Sequence, residues 1–310
     1  ATMLAAAALV AGLAACGSGE PESTTPAAAG GGTGGVEIEG VGTIGADPAL
    51  AELVPAEYRE KGEVVFATNA PYSPFIDFRE EGRTDAFTGL DYDLVQAASA
   101  KLDLDAPFQQ QPFDGLIPGL QAGNFDAIVG GITDNKERQE VATFVDYSAS
   151  GTGFLALAGN PLGIGSVEDL CGVRVAVQRA SNQQENLEEY STESCGDNPI
   201  EVLPYPENPQ AVSAMLAGNA DVVAATLVSV ADIAEELSGQ VELVENAAEP
   251  NGWRASPNGF GFLRADAELA AAYQAAMQSL VDDGTYAAVL EKYGQTRIGI
   301  ETITIDQAVD

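Results

Sequence analysis

Gly130-Gly131-Ile132-Thr133-Asp134-Asn135-Lys136-Glu137-Arg138 follows Phe125-Asp126-Ala127-Ile128-Val129, a short apolar run of the kind that forms a buried strand. The spacing then turns helical. Asp134 with Glu137 three residues on reads as a capping box, which puts Arg138 in the first turn of a helix. The helix dipole disfavours a cation there. An arginine makes sense at that place if a carboxylate is bound beside the free amides, because guanidinium offers a rigid bidentate fork. The competing reading is an ion pair of Arg138 with Glu137 or Asp134 on a solvated surface.

Working outward, strands and helices alternate. A helix over 49–60 stops at Gly62, and a strand over 63–68 runs into Asn69-Ala70-Pro71-Tyr72-Ser73-Pro74-Phe75, whose prolines fix an irregular loop. A strand or hairpin over 76–88 leads to Gly89-Leu90-Asp91-Tyr92-Asp93-Leu94, the start of a helix with Asp91 and Asp93 as cap and first-turn residues. After a strand at 106–111, Phe113-Asp114-Gly115-Leu116-Ile117-Pro118 turns into a helix that stops at Gly123. This order predicts a parallel sheet of βαβ units.

The second half repeats the first. Gln121-Ala122-Gly123-Asn124-Phe125-Asp126-Ala127-Ile128-Val129 matches Leu216-Ala217-Gly218-Asn219-Ala220-Asp221-Val222-Val223-Ala224: helix end, Gly-Asn, one residue, Asp, strand. Ser166 and Ser181 each open a helix with a capping pattern, and Asn208-Pro209 opens another. The offset makes the loops at Gly131 and Thr226 equivalent, at the carboxyl ends of equivalent strands, where open α/β sheets bind ligands. The chain closes with a strand near 259–263, a helix over 266–281, Gly284-Thr285-Tyr286, and an Ile/Thr tail over 296–310 with the pattern of an edge strand.

The 310 residues carry 47 acidic and 13 basic side chains, a net charge of −34, which repels phosphate backbones and excludes nucleic acid as a partner. The absence of histidine removes Ser-His-Asp and Cys-His triads, His-ligated zinc and His general bases. The reading contains no catalytic residue, cofactor or metal site.

Residues 3–15 form an apolar stretch too short to span a membrane, ending in Leu13-Ala14-Ala15-Cys16-Gly17, which is similar to a bacterial lipobox. Residues 1–16 thus read as a lipoprotein signal without a basic n-region, with Cys16 the lipid acceptor on the outer face of a membrane. Residues 17–46, rich in Gly, Ser, Thr and Pro, read as a flexible tether, and the folded part is expected to begin near Asp47. Cys171 and Cys195 read as a disulfide in an extracytoplasmic protein, with two free buried thiols the alternative.

Tyr72-Ser73-Pro74-Phe75, Gly89 to Leu94, Phe113 to Pro118, Gly131-Ile132-Thr133 with Glu137-Arg138, and Gly284-Thr285-Tyr286 occur in one order and spacing. In this the run from about Glu63 to Gly294 resembles the extracellular solute-binding proteins of polar-amino-acid ABC importers, typified by the glutamine, histidine and lysine–arginine–ornithine binding proteins. The resemblance implies an α/β fold built as a two-lobed, periplasmic-binding-protein-like clamp of type II. Lobe 1 would comprise 47–152 and 257–310, and lobe 2 would comprise 153–256. Two hinge strands would join them, with the ligand cleft between. It implies a monomer that hands a small solute to the permease subunits of an importer, anchored by lipid on Cys16.

Carried over by position, the resemblance implies that Arg138 holds a ligand carboxylate with Thr133, and that Gly131 offers a carbonyl to an ammonium. Tyr72 and Phe113 would sandwich the ligand, with Asn69 and Gln178 at its side chain. Ser181 and the amides of Asn182 and Gln183 would meet the carboxylate from lobe 2. One position departs from the family pattern: Thr226 stands where an aspartate pairs with the ligand's α-ammonium. The competing functions are a binder of carboxylates that are not amino acids, a scaffold lipoprotein with a vestigial cleft, a sensor domain, and a cyclohexadienyl dehydratase-like enzyme.

Overall fold

The computed structural model describes residues 35–309 apart from Glu81, so the signal, Cys16 and most of the tether lie outside the described residues. The expectation that folding begins near Asp47 is corrected. β1 (Val36–Ile38) and β2 (Gly42–Ile44) form an antiparallel hairpin. Ile38 and Ile44 are buried in the main core, so this piece of the expected tether carries enough apolar surface to be held.

The expected helix over 49–60 is two helices, α1 (Pro48–Ala51) and α2 (Ala56–Lys61), because Pro55 has no N–H to continue the first. Gly62 ends α2 in the left-handed conformation at φ 73°. β3 (Phe66–Thr68), the short hairpin of β4 (Asp77–Phe78) and β5 (Phe87–Thr88), and α3 (Leu90–Lys101) follow. Leu90, Leu94, Val95 and Ala98 bury one face of α3. Next come β6 (Phe108–Gln110), α4 (Leu116–Gln121), β7 (Ala127–Ile128) and the 16-residue β8 (Ala142–Leu157).

The second half contains β9 (Arg174–Gln178), α5 (Asn182–Ser194), β10 (Glu201–Tyr205), α6 (Asn208–Leu216), β11 (Val222–Thr226), α7 (Leu227–Glu236) and β12 (Val241–Val244). β13 (Trp253–Leu263) then returns to the first half, followed by α8 (Ala267–Asp282), α9 (Thr285–Lys292) and β14 (Gly299–Ile305).

The sheet runs β10-β9-β11-β8-β13-β7-β3-β6, and its two ends mirror each other. Each end is a parallel triplet with the earliest of its three strands in the middle. The repeat is carried down to single hydrogen bonds. Gly123 and Gly218 have φ of 69° and 75°, and Asn124 and Asn219 donate back to Gly119 and Ala214. Asp126 accepts from the Val65 N–H and Asp221 from the Arg174 N–H, each tying its loop to the start of the central strand.

β8 and β13 join the two lobes of the clamp, pairing antiparallel from Ala142↔Leu263 to Thr152↔Trp253. Residues 152–157 of β8 also pair with β11 and β12 in the second lobe, and Val145, Asp146 and Ser148 pair with β14 in the first. The Ile/Thr tail is therefore a hinge-side strand. Cys171 and Cys195 are joined as a disulfide at 2.03 Å, linking the approach to β9 with the end of α5.

Lobe 1 packs around Phe66, which stacks on Phe108 and meets Phe262 and Tyr273 edge-on. Each such ring stabilises by about 1.5–3 kcal/mol when fully buried. In lobe 2, Trp253 packs against Phe154 and Tyr190, as a loop anchor would. No helix among the described residues is long and apolar enough to cross a membrane.

Candidate functional site

Arg138 begins a single 3₁₀ turn, Arg138–Glu140, and the expected capping box is not made. Asn135 caps instead, its Oδ1 accepting from the Arg138 N–H at 2.8 Å, while Asp134 accepts twice from the Gln139 amide. Asn135 sits three residues before Arg138, the reach an Asx cap needs, so this signal was available in the sequence.

The Arg138 side chain is turned inward and buried. It donates to the Thr133 carbonyl at 2.8 Å and, across the cleft, to the Ala180 carbonyl at 3.2 Å. Its guanidinium lies 5.6 Å from the Phe113 ring centre. Among the described residues it makes no ion pair, so the surface ion-pair reading is set aside. Burial lowers its pKa to about 10, against the upward pull of Glu185, Glu137 and Asp134. A buried guanidinium without a carboxylate partner is poised for an anion.

Across the cleft, the start of α5 faces it. Ser181 Oγ accepts from the Gln184 N–H at 3.2 Å, while the Gln184 side chain takes the Ala180 N–H rather than that of Ser181. Asn182 and Gln183 hold the first-turn N–H groups, which have no intrahelical acceptor. Asn135 donates to Asn182 Oδ1 at 3.1 Å. A cavity of about 590 Å³ opens here between the lobes, lined by Phe113, Asn135 and Arg138 from one side and Arg179, Ser181 and Glu185 from the other.

Deeper in, the remaining predicted residues meet one another directly. Gln178 Nε2 donates to Asn69 Oδ1 at 2.7 Å, and Asn69 Nδ2 donates to the Gln111 carbonyl. The Tyr72 hydroxyl donates to Thr226 Oγ1 and accepts from the Thr226 N–H. Tyr72 stacks on Phe75 at 6.0 Å rather than on Phe113. Burial pushes the Tyr72 phenol up, and its bonds to Thr226 and Ser229 pull it back. Of the eleven predicted residues, Asn69, Tyr72, Gln178 and Thr226 form an inner set in contact across the lobes, Phe113, Arg138 and Ser181 line the cavity, and Asn182 and Gln183 lie on the first turn of α5. Gly131 and Thr133 lie on the loop that joins the two sets.

That loop needs its glycines. Gly131 has φ 62°, and a Cβ there would lie 2.8 Å from the Phe75 ring. Its carbonyl accepts from Asn258 Nδ2 at 3.2 Å, which leaves one lone pair free. Its N–H donates to Asp91 Oδ2 at 2.7 Å. Asp91 is therefore a buried support of the loop rather than a helix cap, since Gly89 holds the cap position of α3. Tyr147 donates to its other oxygen, and burial pushes the Asp91 carboxyl up to about 7. A second cavity of about 660 Å³, behind the hinge between α7 and the turn after α9, includes none of the predicted residues.

A buried cation facing a helix N-terminus across two hinge strands defines a two-lobed solute-binding clamp. The chain matches the bacterial extracellular solute-binding proteins, family 3, over residues 64–296, and it belongs to that family. The arginine-binding protein ArgT of Corynebacterium glutamicum is 30% identical over 265 residues, covering 84% of this chain and 82% of that protein. Among solved structures, an ancestral arginine-binding protein bound to glutamine superposes with a TM-score of 0.66 at 26% identity, over 76% of this chain and 98% of that one. The ancestral amino acid-binding protein AncCDT-1, a precursor of cyclohexadienyl dehydratase, superposes at 0.64 with 28% identity, over 76% and 97%.

Proposed function

We propose that this chain is the substrate-binding subunit of an ABC importer and captures a carboxylate-bearing solute, a polar amino acid first, by closing its lobes around Arg138. The observation that carries the reading is the buried Arg138 guanidinium, free of any carboxylate partner among the described residues and facing the α5 N-terminus. Contacts made only when both lobes meet the ligand favour the closed state, which the permease subunits would recognise. The amino-acid ligands named for the relatives and neighbours support the solute class. In this reading Cys16 carries the lipid and residues from 17 onward the tether, on the extracellular face.

A second reading, a carboxylate without an α-ammonium, is favoured by one observation: Thr226 places a hydroxyl rather than a carboxylate opposite Tyr72. The test is a thermal-shift and calorimetric screen of the soluble part against amino acids, keto acids and betaines. The expected result is saturable binding of one class, lost in Arg138→Ala. Retained affinity in that variant overturns the assignment of the carboxylate to Arg138, and silence across the panel counts against solute capture.

A further inference from the structure

Two buried charged groups without counterions bracket the loop Gly131-Ile132-Thr133. Arg138 donates to the Thr133 carbonyl and pairs with no carboxylate among the described residues. Asp91, 0% exposed, accepts from the Gly131 N–H at 2.7 Å and pairs with no cation among them. Its other oxygen accepts from the Tyr147 hydroxyl. Two donors aimed at one carboxyl suit its ionised form, which only accepts. The first turn of α3, where Asp91 stands, favours an anion as well. Burial opposes these and pushes the carboxyl up to about 7, so its charge is held at the edge of forming.

The groups around Asp91 leave that charge unanswered. Tyr147 faces it from β8, its phenol raised by burial first and by Asp91 second. Tyr286 on α9 reaches only the Tyr147 carbonyl. Asp93, further along α3, is taken by Lys292 at 2.8 Å and by the Tyr293 hydroxyl. Asp134 lies beyond Gly131 in the binding loop, and burial pushes its carboxyl up to about 6. A cation at the Gly131 carbonyl would bring the positive charge that Asp91 lacks. That carbonyl keeps a lone pair for it, since Asn258 Nδ2 uses the other. An α-amino acid carries both missing partners side by side, a carboxylate for Arg138 and an ammonium for Gly131. From lobe 2, Thr226 offers only a hydroxyl, so the negative charge has to come from lobe 1.

We propose that Asp91 is the positioning residue for the ligand's α-ammonium: it holds the Gly131 N–H so that the Gly131 carbonyl meets the ammonium, and its carboxylate supplies the negative field there in place of an aspartate at position 226. The proposal rests on the amino-acid reading of the cleft. Asp91 touches no ligand and acts through Gly131. A cation at that carbonyl favours the ionised carboxyl, so binding expels a proton. Affinity for α-amino acids is then lowest in acid, climbs as pH rises to about 7, and is flat above that. A 2-hydroxy analogue keeps the carboxylate, lacks the ammonium, and shows no such climb. A residue that only propped the loop would not separate the two.

The test is isothermal titration between about pH 5.5 and pH 8, first with the common L-amino acids, then with the tightest binder beside its 2-hydroxy analogue. The chain has no histidine, and Asp134 and Asp146 are the other carboxyls pushed up to about 6 and about 7. Wild type is expected to bind the amino acid about tenfold more tightly at the upper limit, the equivalent of one pKa unit at Asp91. Midway it should release roughly half a proton per ligand, read from titrations in two buffers of different ionisation enthalpy, and the analogue none. Asp91→Asn should flatten the profile and lower amino-acid affinity about tenfold at the upper limit, leaving the analogue unchanged. Tyr147→Phe removes one donor from the carboxyl, so it should move the climb to higher pH, and it keeps the test decisive if Asp91→Asn fails to fold. A flat wild-type profile, with affinity still lost in Arg138→Ala, overturns the role of Asp91 and leaves solute capture standing. An equal climb for the analogue, or one that survives in Asp91→Asn, also overturns it. Absence of binding by every amino acid overturns it together with the amino-acid reading.

Discussion

Tyr72 and Thr226, 154 residues apart, exchange two hydrogen bonds across the cleft: phenol to Thr226 Oγ1 at 2.8 Å, and Thr226 N–H back to the phenol oxygen at 3.0 Å. With the Asn69–Gln178 pair beside them, the inner contacts between the lobes are made by neutral groups, while Arg138 and the Arg179–Asp114 pair at 3.6 Å bridge the lobes beside the cavity. Tyr72→Phe leaves the Thr226 N–H without its acceptor in the closed arrangement, at a cost of about 1–3 kcal/mol. The unliganded variant should populate a more open form, read as a larger radius of gyration in small-angle scattering. An unchanged radius would show that this pair does not hold the closed form.

In the proposed function, Thr226 also stands where a carboxylate would meet the ligand's α-ammonium. Thr226→Asp is expected to strengthen binding of α-amino acids by about one to two decades, the worth of one charge-assisted hydrogen bond of roughly 1.5–3 kcal/mol. Isothermal titration of wild type and variant against an amino acid and its 2-hydroxy analogue checks this. If the variant improves neither, residue 226 does not face the α-substituent.

Asp91 makes stability depend on pH. Its carboxyl is fully buried, and its pKa stands near 7, above the ordinary 3.8, so the folded state holds the proton more tightly than the unfolded chain. The resulting stabilisation is complete below about pH 4 and is lost as pH rises to about 7, after which it is flat. Asp91→Asn should remove this part of the slope in melting temperature between those limits. Parallel slopes in variant and wild type would assign the pH dependence to other groups.

The Cys171–Cys195 disulfide closes a loop with a sequence separation of 24. Chain entropy assigns about 3 kcal/mol to such a loop. Replacing both residues by serine is expected to lower the melting temperature by roughly 6–12 °C for a chain of this size. A loss below about 2 °C would mean that the unfolded chain is not constrained by the bond.

Much of this arrangement was legible in the sequence because it rests on local chemistry. The Gly-Asn-x-Asp repeat fixes two helix ends and two strand starts through contacts within each half. Arg138 stood out because a cation is unusual in its setting. Asn135 and Asp134 are both capping residues one position apart, and only tertiary packing decides between them. The hairpin at 36–44 was hidden by the glycines around it, although Val36, Ile38 and Ile44 carried a period-2 signal. Contacts such as Tyr72 with Thr226 have no local signature, since only the folded sheet brings their loops together. Asp91 has the local signature of a helix start, whereas its burial beneath Gly131 depends on a loop 40 residues away.

β8 runs unbroken for 16 residues through both lobes, paired to β13 in one and to β11 in the other. Rotation of one lobe against the other therefore finds no break in β8 to turn about. It has to be taken up as changes of twist along a strand pair whose register slips between Trp253 and Ser256 and between Asn258 and Gly259, as in a leaf spring with two softened points. Each excursion then carries its own restoring torque, and the range of opening is set by how far two paired strands can wind before their ladder gives way.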